Sequence, residues 1–137
     1  MKIIYKNSDG IGILHPSPHW KGTMLELAKK DVPAGCKYKI VANSKILTDR
    51  TFRDAWEYDN GDIRVSLSKA KEIKKEHLRR ERKPLFEALD VEYMRATEEK
   101  QDTTDIVKEK KRLRDITDQV DDIDDLETLK SLTCGIN

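Results

Sequence analysis

The chain is poor in the residues that usually mark chemistry. Its 137 residues include two cysteines, three histidines, six glycines and four prolines, and aromatic residues make up 6%. The glycines are scattered among turns, so the sequence shows neither a glycine-rich phosphate loop nor a nucleophile elbow. We therefore expect a protein that is not an enzyme and needs no cofactor. An enzyme built from lone aspartate, arginine and histidine residues remains the alternative.

The chain also lacks long apolar runs and a large net charge. No apolar run reaches the roughly 18 residues of a membrane span, and residues 1–7 lack the apolar core of a signal peptide. The net charge is +1, so no field over the whole molecule draws it to nucleic acid or to a membrane. Cys36 and Cys134 lie far apart in the sequence. Two thiols in a reducing compartment are favoured over a disulfide.

Charge is what the chain has in abundance. Charged residues make up 39% and apolar residues 36%, a balance typical of one modest core with solvated helices. The pattern changes near residue 66. We predict an α+β protein with two domains: a small antiparallel β-rich part over residues 1–65 with one short helix, and a helical region over residues 66–137.

The first region is predicted to contain two hairpins. Predicted strands cover residues 2–6, 11–14, 38–41, 55–58 and 63–65. The first pair flanks an Asp-Gly dipeptide and the last pair an Asn-Gly dipeptide, both of which favour tight hairpin turns. Thr23 and Glu26 have the spacing of a capping box, which predicts a short helix over residues 24–30.

The second region is predicted to be an antiparallel helical hairpin followed by a short helix over residues 124–132. Ser66 or Ser68 suits the first N-cap, and Thr103 or Thr104 suits the second. Pro84 lies inside the first helical pattern. Proline removes an amide donor, so this pattern is either one kinked helix or two helices meeting near residue 83.

Metal ligands are not expected. His15 and His19 are four apart, but Pro16 and Pro18 argue against the helix that would align them. The acidic run over residues 115–127 lacks the glycine and the final glutamate of a calcium loop, so we interpret it as a solvated link between helices. We interpret His77 as a partly buried structural histidine.

The basic run over residues 71–83 raises the possibility of phosphate contact. It holds seven lysines and arginines interleaved with three glutamates at helical spacing, a pattern typical of an exposed helix with i,i+3 and i,i+4 ion pairs. No aromatic side chains for base stacking are interleaved with it. Nucleic-acid binding through this helix is therefore the alternative function, and protein contact the leading one.

Aromatic and apolar residues supply the candidates for protein contact. Trp56 is interpreted as a core residue, with an exposed Trp56–Tyr58 binding pair as the alternative. On the helices, Leu85, Leu89, Leu113 and Ile116 are expected to hold the hairpin together. Phe86 and Met94 are expected to stay exposed for a partner.

Four stretches resemble a family of small proteins encoded among the structural genes of tailed bacteriophages. The stretches are 30–41, 48–56, 85–96 and 111–117, with the sequences KDVPAG and YKIV, TDRTFRDAW, LFEALDVEYMRA and KRLRDIT. The helical half is similar to the helical region of phage tail and tail-fibre assembly chaperones. The resemblance implies a minor tail-region virion component or a tail assembly factor.

The same resemblance implies the partner and the location. The partner would be a phage tail or tail-fibre protein, a homo-oligomer is left open, and the location would be the virion or the host cytoplasm during assembly. The candidate partner-binding residues are Trp56, Tyr58, Arg79, Arg80, Arg82, Phe86, Tyr93 and Met94.

Overall fold

The structure, a computed structural model, describes residues 1–135 and confirms the α+β class. Its strands are β1 Lys2–Asn7, β2 Gly10–Leu14, β3 Tyr38–Val41, β4 Trp56–Asp59 and β5 Asp62–Val65, and its helices are α1 Met24–Asp31, α2 Leu67–Glu98, α3 Thr104–Asp121 and α4 Leu126–Ser131. The chain divides into two compact units, Met1–Ala70 and Lys71–Asn137, with the boundary after the first turn of α2. Each unit is described separately.

The first unit is built on a three-stranded antiparallel sheet of order β2-β1-β3. Adjacent residues of the central strand, Ile3 and Ile4, are both buried although successive side chains point to opposite faces. Ile3 packs with Leu27 and Ala28 of α1. Ile4 packs with Trp56 on the other face. Both faces of the sheet are therefore covered, one by a helix and the other by the β4–β5 hairpin.

The β4–β5 hairpin closes the second face through a tight turn. Trp56 pairs with Val65 and Asp59 with Asp62. Asn60 and Gly61 have φ values of 48° and 91°, the left-handed pair that an Asn-Gly hairpin turn requires. The sequence prediction of this hairpin, and of the β1–β2 hairpin before it, is confirmed.

The caps of the helices follow the predictions in part. Thr23 and Glu26 form the expected capping box of α1, with both side-chain bonds present. At α3 the threonine prediction is wrong, because Thr103 makes no side-chain capping bond. The Asp102 carboxylate accepts from the Thr104 amide at 3.0 Å instead. Asp102 offers two acceptor oxygens, and aspartate caps as well as threonine does.

The second unit contains the helical hairpin. Helix α2 runs unbroken through Pro84, so the alternative of two helices is wrong. Its 32 residues correspond to about 48 Å at 1.5 Å per residue. Pro84 has no amide hydrogen, so the Arg80 carbonyl lacks its partner inside the helix. Antiparallel α3 is tied to α2 by the Asp90–Lys110 ion pair at 2.6 Å.

Helix α4 and the segment after it cover one part of this hairpin. The fully buried residues of the unit are Leu78, Leu113, Ile116, Val120, Leu129 and Cys134. The Lys74 ammonium donates to the Lys130 carbonyl at 3.0 Å, and the Cys134 amide donates to the Glu81 carboxylate at 3.0 Å. Within residues 1–135, the hydrogen bonds named here join this C-terminal segment to α2 at Lys74 and at Glu81, both before the second half of the helix.

Three other predictions concern single residues or elements. His77 is exposed, so the expectation of a partly buried histidine is wrong; it lies one residue before Leu78, off the face that packs. Cys36 and Cys134 are free thiols. In the part of the chain that the structure describes, none of the helices combines the length and apolar composition needed to cross a membrane.

Candidate protein-docking surface

The part of the hairpin beyond Lys83, residues 84–109, differs from the rest of the second unit. This segment, the distal hairpin, comprises the second half of α2, the connection, and the first turns of α3. It carries eight acidic and three basic residues, a formal charge of −5. Only Ala96 among its apolar side chains is classed as buried. A two-helix segment of this kind exposes much of its apolar surface because one neighbour covers one stripe only.

Helical periodicity separates the seam of the distal hairpin from its open faces. Phe86, Leu89, Tyr93 and Ala96 follow the 3,4,3 spacing of one stripe on α2. Phe86 and Leu89 are half-buried. Val91 and Met94 lie off this stripe, three apart on another face, and are 47% and 60% exposed. Their side chains are therefore not used to join the two helices.

Val107 continues the open apolar surface on α3. It is 46% exposed and follows Ile106, which is half-buried in the seam. Lys110 sets the register here: its ammonium pairs with Asp90 and lies 5.3 Å from the centre of the Tyr93 ring. Because the helices are antiparallel, this register brings Val107 to about the level of Met94 along the hairpin.

Two of the candidate residues belong to the seam instead. The Arg82 guanidinium donates to the Leu113 and Arg114 carbonyls, both at 3.1 Å, and lies 5.7 Å from the centre of the Phe86 ring. Phe86 is half-buried, so the expectation of an exposed phenylalanine is wrong. Arg82 uses two hydrogen bonds to join α2 to α3, and its guanidinium packs over Phe86 at the same time.

Arg79 and Arg80 keep most of their exposure. Both reach Glu76, at 3.5 and 3.7 Å, with side chains 48% and 72% exposed. Ion pairs this open contribute little to stability. Both guanidiniums therefore remain available to a partner, on the part of α2 that precedes the distal hairpin.

The aromatic candidates of the first unit are core residues. Trp56 is 1% exposed and packs against Ile4, Ile11 and Val41. The alternative of an exposed Trp56–Tyr58 pair is wrong, since Tyr58 is half-buried against the same cluster. A ring in the middle of a small core stabilises the fold, and its face is not accessible to another chain.

Tyr93 is 39% exposed and belongs to the stripe that faces α3, whereas Met94, at 60%, is the apolar candidate on an open face of the distal hairpin. Leu85 was expected in the seam, but it is 40% exposed and lies one residue before Phe86, at the edge of the stripe. Val91 and Val107 were missed by the sequence analysis. The available signal was their position outside the apolar stripe, where an exposed helix usually carries polar residues.

Acidic and histidine side chains have structural roles. Asp125 accepts from the Thr128 amide at 2.7 Å and so caps α4. Asp121 pairs with Lys75 at 2.8 Å, which lowers the pKa of its carboxyl group. The His15 imidazole lies 2.6 Å from the Lys2 ammonium. Among residues 1–135, no group of three or more metal-ligating side chains is assembled.

Comparison of the chain with models of protein families, with curated protein sequences and with solved structures finds no match.

Proposed function

We propose that the protein acts by docking its distal hairpin onto another protein chain. The observation that carries this proposal is the exposed set Val91, Met94 and Val107, contributed by two neighbouring helices within a segment of charge −5. Apolar anchors at helical spacing are the usual means by which a helix face binds a partner. Exposed apolar surface on a highly charged helix pair is a common mark of such a site.

The basic helix gives the alternative function less support. Of the seven basic residues over 71–83, Lys71, Lys74 and Arg82 donate to carbonyls of the same unit, and Lys75 pairs with Asp121. Side chains held in these bonds are less free to reach a phosphate backbone, so fewer phosphate contacts are available to this helix. Protein docking is therefore the function that the geometry favours.

The proposed setting is the tail region of a bacteriophage, with the protein as a minor virion component or as a tail or tail-fibre assembly factor. Support for the setting comes from the sequence resemblance described above. One of the similar stretches, residues 85–96, contains Val91, Tyr93 and Met94. In this setting the distal hairpin would dock on a tail or tail-fibre subunit.

Site-specific photocrosslinking tests the docking surface. A photoreactive amino acid is introduced at Met94 or at Val107 in cells that naturally make the protein. The matched control position is His77, which is exposed on the same helix but lies outside the distal hairpin. We expect one discrete adduct from both distal positions and none from His77, with mass spectrometry identifying a tail-region protein.

A substitution separates docking from accidental proximity. Met94→Glu adds a charge to the open face without touching the seam, so the fold is retained while the adduct formed from Val107 decreases strongly. Identical adducts from Val107 and His77, or an adduct unaffected by Met94→Glu, would contradict the proposed surface. Tight, steeply salt-dependent binding to a short DNA duplex would favour the basic-helix alternative.

A further inference from the structure

The stretch at residues 48–56 builds a second accessible feature, within the first unit. It forms one side of a groove of about 550 Å³. The groove is lined by Asp9, Ile11, Arg50, Arg53, Asp54 and Trp56. The first two come from the β1–β2 hairpin. Arg53 and Asp54 lie in a 3₁₀ turn, Arg50 precedes that turn, and Trp56 begins β4.

Two guanidinium groups share one indole ring in this groove. The guanidinium carbons of Arg53 and Arg50 lie 4.7 and 5.7 Å from the centre of the Trp56 ring. Each contact with the ring is favourable by itself. Two positive charges held over one ring also repel each other, and this repulsion decreases when an anion lies between them.

Asp9 and Asp54 line the same groove, but neither carboxylate is paired with Arg50 or Arg53. Within residues 1–135, neither Arg50 nor Arg53 forms an ion pair. The neighbouring Asp49 carboxylate accepts from the Thr51 amide and hydroxyl, at 3.0 and 2.6 Å. Arg53 donates to the Ile11 carbonyl at 3.3 Å, which uses one of the five N–H groups of a guanidinium. Donors therefore remain for a ligand.

A second pair of cations in the same unit, unlike Arg50 and Arg53, shares a carboxylate partner. Arg64 and Lys69 both pair with Glu57, at 2.9 and 3.0 Å. That carboxylate compensates two neighbouring cations, and its pKa is lowered by the two contacts. Arg50 and Arg53 have the same like-charge arrangement without the carboxylate. Burial, followed by the charges of Lys2 and Arg50, lowers the pKa of His15.

We propose that this groove binds a compact oxyanion, bridged by the guanidinium groups of Arg50 and Arg53. Arginine recognises phosphate and carboxylate through two parallel N–H donors. Asp9 and Asp54 at the edge of the groove repel further negative charge, which favours a single phosphate or carboxylate group over a polyanion. A phosphate monoester and a carboxylate side chain share this chemistry.

Trp56 fluorescence provides the direct measurement. In a Trp20→Phe background Trp56 is the only tryptophan, and inorganic phosphate is titrated at constant ionic strength in a phosphate-free buffer. We expect a saturable change in emission, because the anion draws both guanidiniums away from the ring. Arg50→Gln and Arg53→Gln should each weaken binding at least about tenfold.

Two further variants make the result specific. Lys30 lies on α1 and does not line the groove, so Lys30→Gln removes another cation of the same unit and should change phosphate binding less than about twofold. Arg50→Lys keeps the charge but loses the two-pronged donor geometry, and it should weaken binding clearly. Circular dichroism confirms that each variant is folded before titration.

Titrations with other anions distinguish whether the groove prefers a phosphate or a carboxylate group. Acetate binding more tightly than phosphate, with the same dependence on Arg50, would support the proposal and point to a carboxylate. The proposal fails if neither anion gives a saturable response, or if Lys30→Gln weakens binding as much as Arg50→Gln does. It also fails if a short oligonucleotide binds far more tightly than phosphate, since the groove would then be a polyanion site.

Discussion

The two compact units differ in how far their apolar side chains are covered. In the first unit the central strand is covered on both faces, so Ile3 and Ile4 are 0% and 1% exposed. In the second unit, hydrogen bonds from α4 and the segment after it reach α2 at Lys74 and Glu81, and Met94 beyond them is 60% exposed. The sheet of the first unit is covered on both faces, whereas the distal hairpin of the second unit leaves Val91, Met94 and Val107 exposed.

The two units also differ in charge. Residues 1–70 carry 12 basic and 8 acidic side chains, a formal charge of +4, and residues 71–137 carry 15 and 18, a formal charge of −3. The near-neutral net charge of the chain is therefore the sum of a basic first unit and an acidic second unit. A partner of the distal hairpin is attracted if it is basic, and a ligand of the first unit is attracted if it is acidic.

The largest expected effect is the loss of Trp56, which would show that the two units unfold separately. Trp56→Ala should cost about 3–5 kcal/mol of stability, most of what a domain has. Trp20 reports the first unit, because both tryptophans lie there. We expect the fluorescence transition to move to low urea while far-ultraviolet circular dichroism keeps a later helical transition. Equal shifts of both signals would show one cooperative unit.

Within the second unit, the contrast between sealed and open positions predicts unequal costs. Leu113 is 0% exposed, and Leu113→Ala should cost about 2–5 kcal/mol. Met94→Ala should change stability by less than about 0.5 kcal/mol. Urea denaturation followed by circular dichroism measures both. A large cost for Met94→Ala would mean that Met94 is covered in solution, for example by a second copy.

Pro84 gives a smaller effect of opposite sign. Pro84→Ala restores the amide that the Arg80 carbonyl lacks, so the second unit should be stabilised by up to about 3 kcal/mol. The melting temperature of the helical signal measures this gain. Lys83→Ala at the neighbouring exposed position is the control and should change little. A fall in melting temperature for Pro84→Ala would show that the proline ring itself packs in the native helix.

Much of the fold was predictable because its signals are local. The Asn-Gly turn, the capping box at Thr23 and the stripe around Leu113 each depend on residues close in sequence. Pro84 was not decidable in the same way, since contacts between α2 and α3 hold the helix across a missing hydrogen bond. Those contacts lie between residues about 20–50 positions apart, such as Arg82 with Leu113 and Lys71 with Asp121.

The candidate site was less predictable, because it too depends on contacts between residues that are far apart in the sequence. The position of Val91 and Val107 outside the apolar stripe was visible in the sequence, but whether a further element covers them depends on tertiary packing. The positions of Arg50 and Arg53 over Trp56 depend on the β1–β2 hairpin that forms the other side of the groove. The sequence marked residues 48–58 as unusual, but the relation of the arginines to the ring is a tertiary feature.

The smallest expected difference between the two units is in the pH at which acid unfolds them. Four carboxyl groups of the second unit have lowered pKa values, and in the first unit the pKa of Glu57 is lowered. The four are Asp102, held by Thr104; Glu109, held by Arg112; Asp121, held by Lys75; and Asp125, held by the Thr128 amide.

A carboxyl group with a folded pKa below its unfolded value stabilises the fold at neutral pH, and this contribution is lost as the pH falls through the folded pKa. Below about pH 4 we therefore expect the helical signal to weaken at a higher pH than the tryptophan signal does. Asp102, Asp121 and Asp125 are exposed and Glu109 is half-buried, so the separation should be small. Asp121→Asn removes the partner of Lys75 and should reduce this difference between the signals. If the tryptophan signal is lost first, the acid-sensitive interactions lie in the first unit instead.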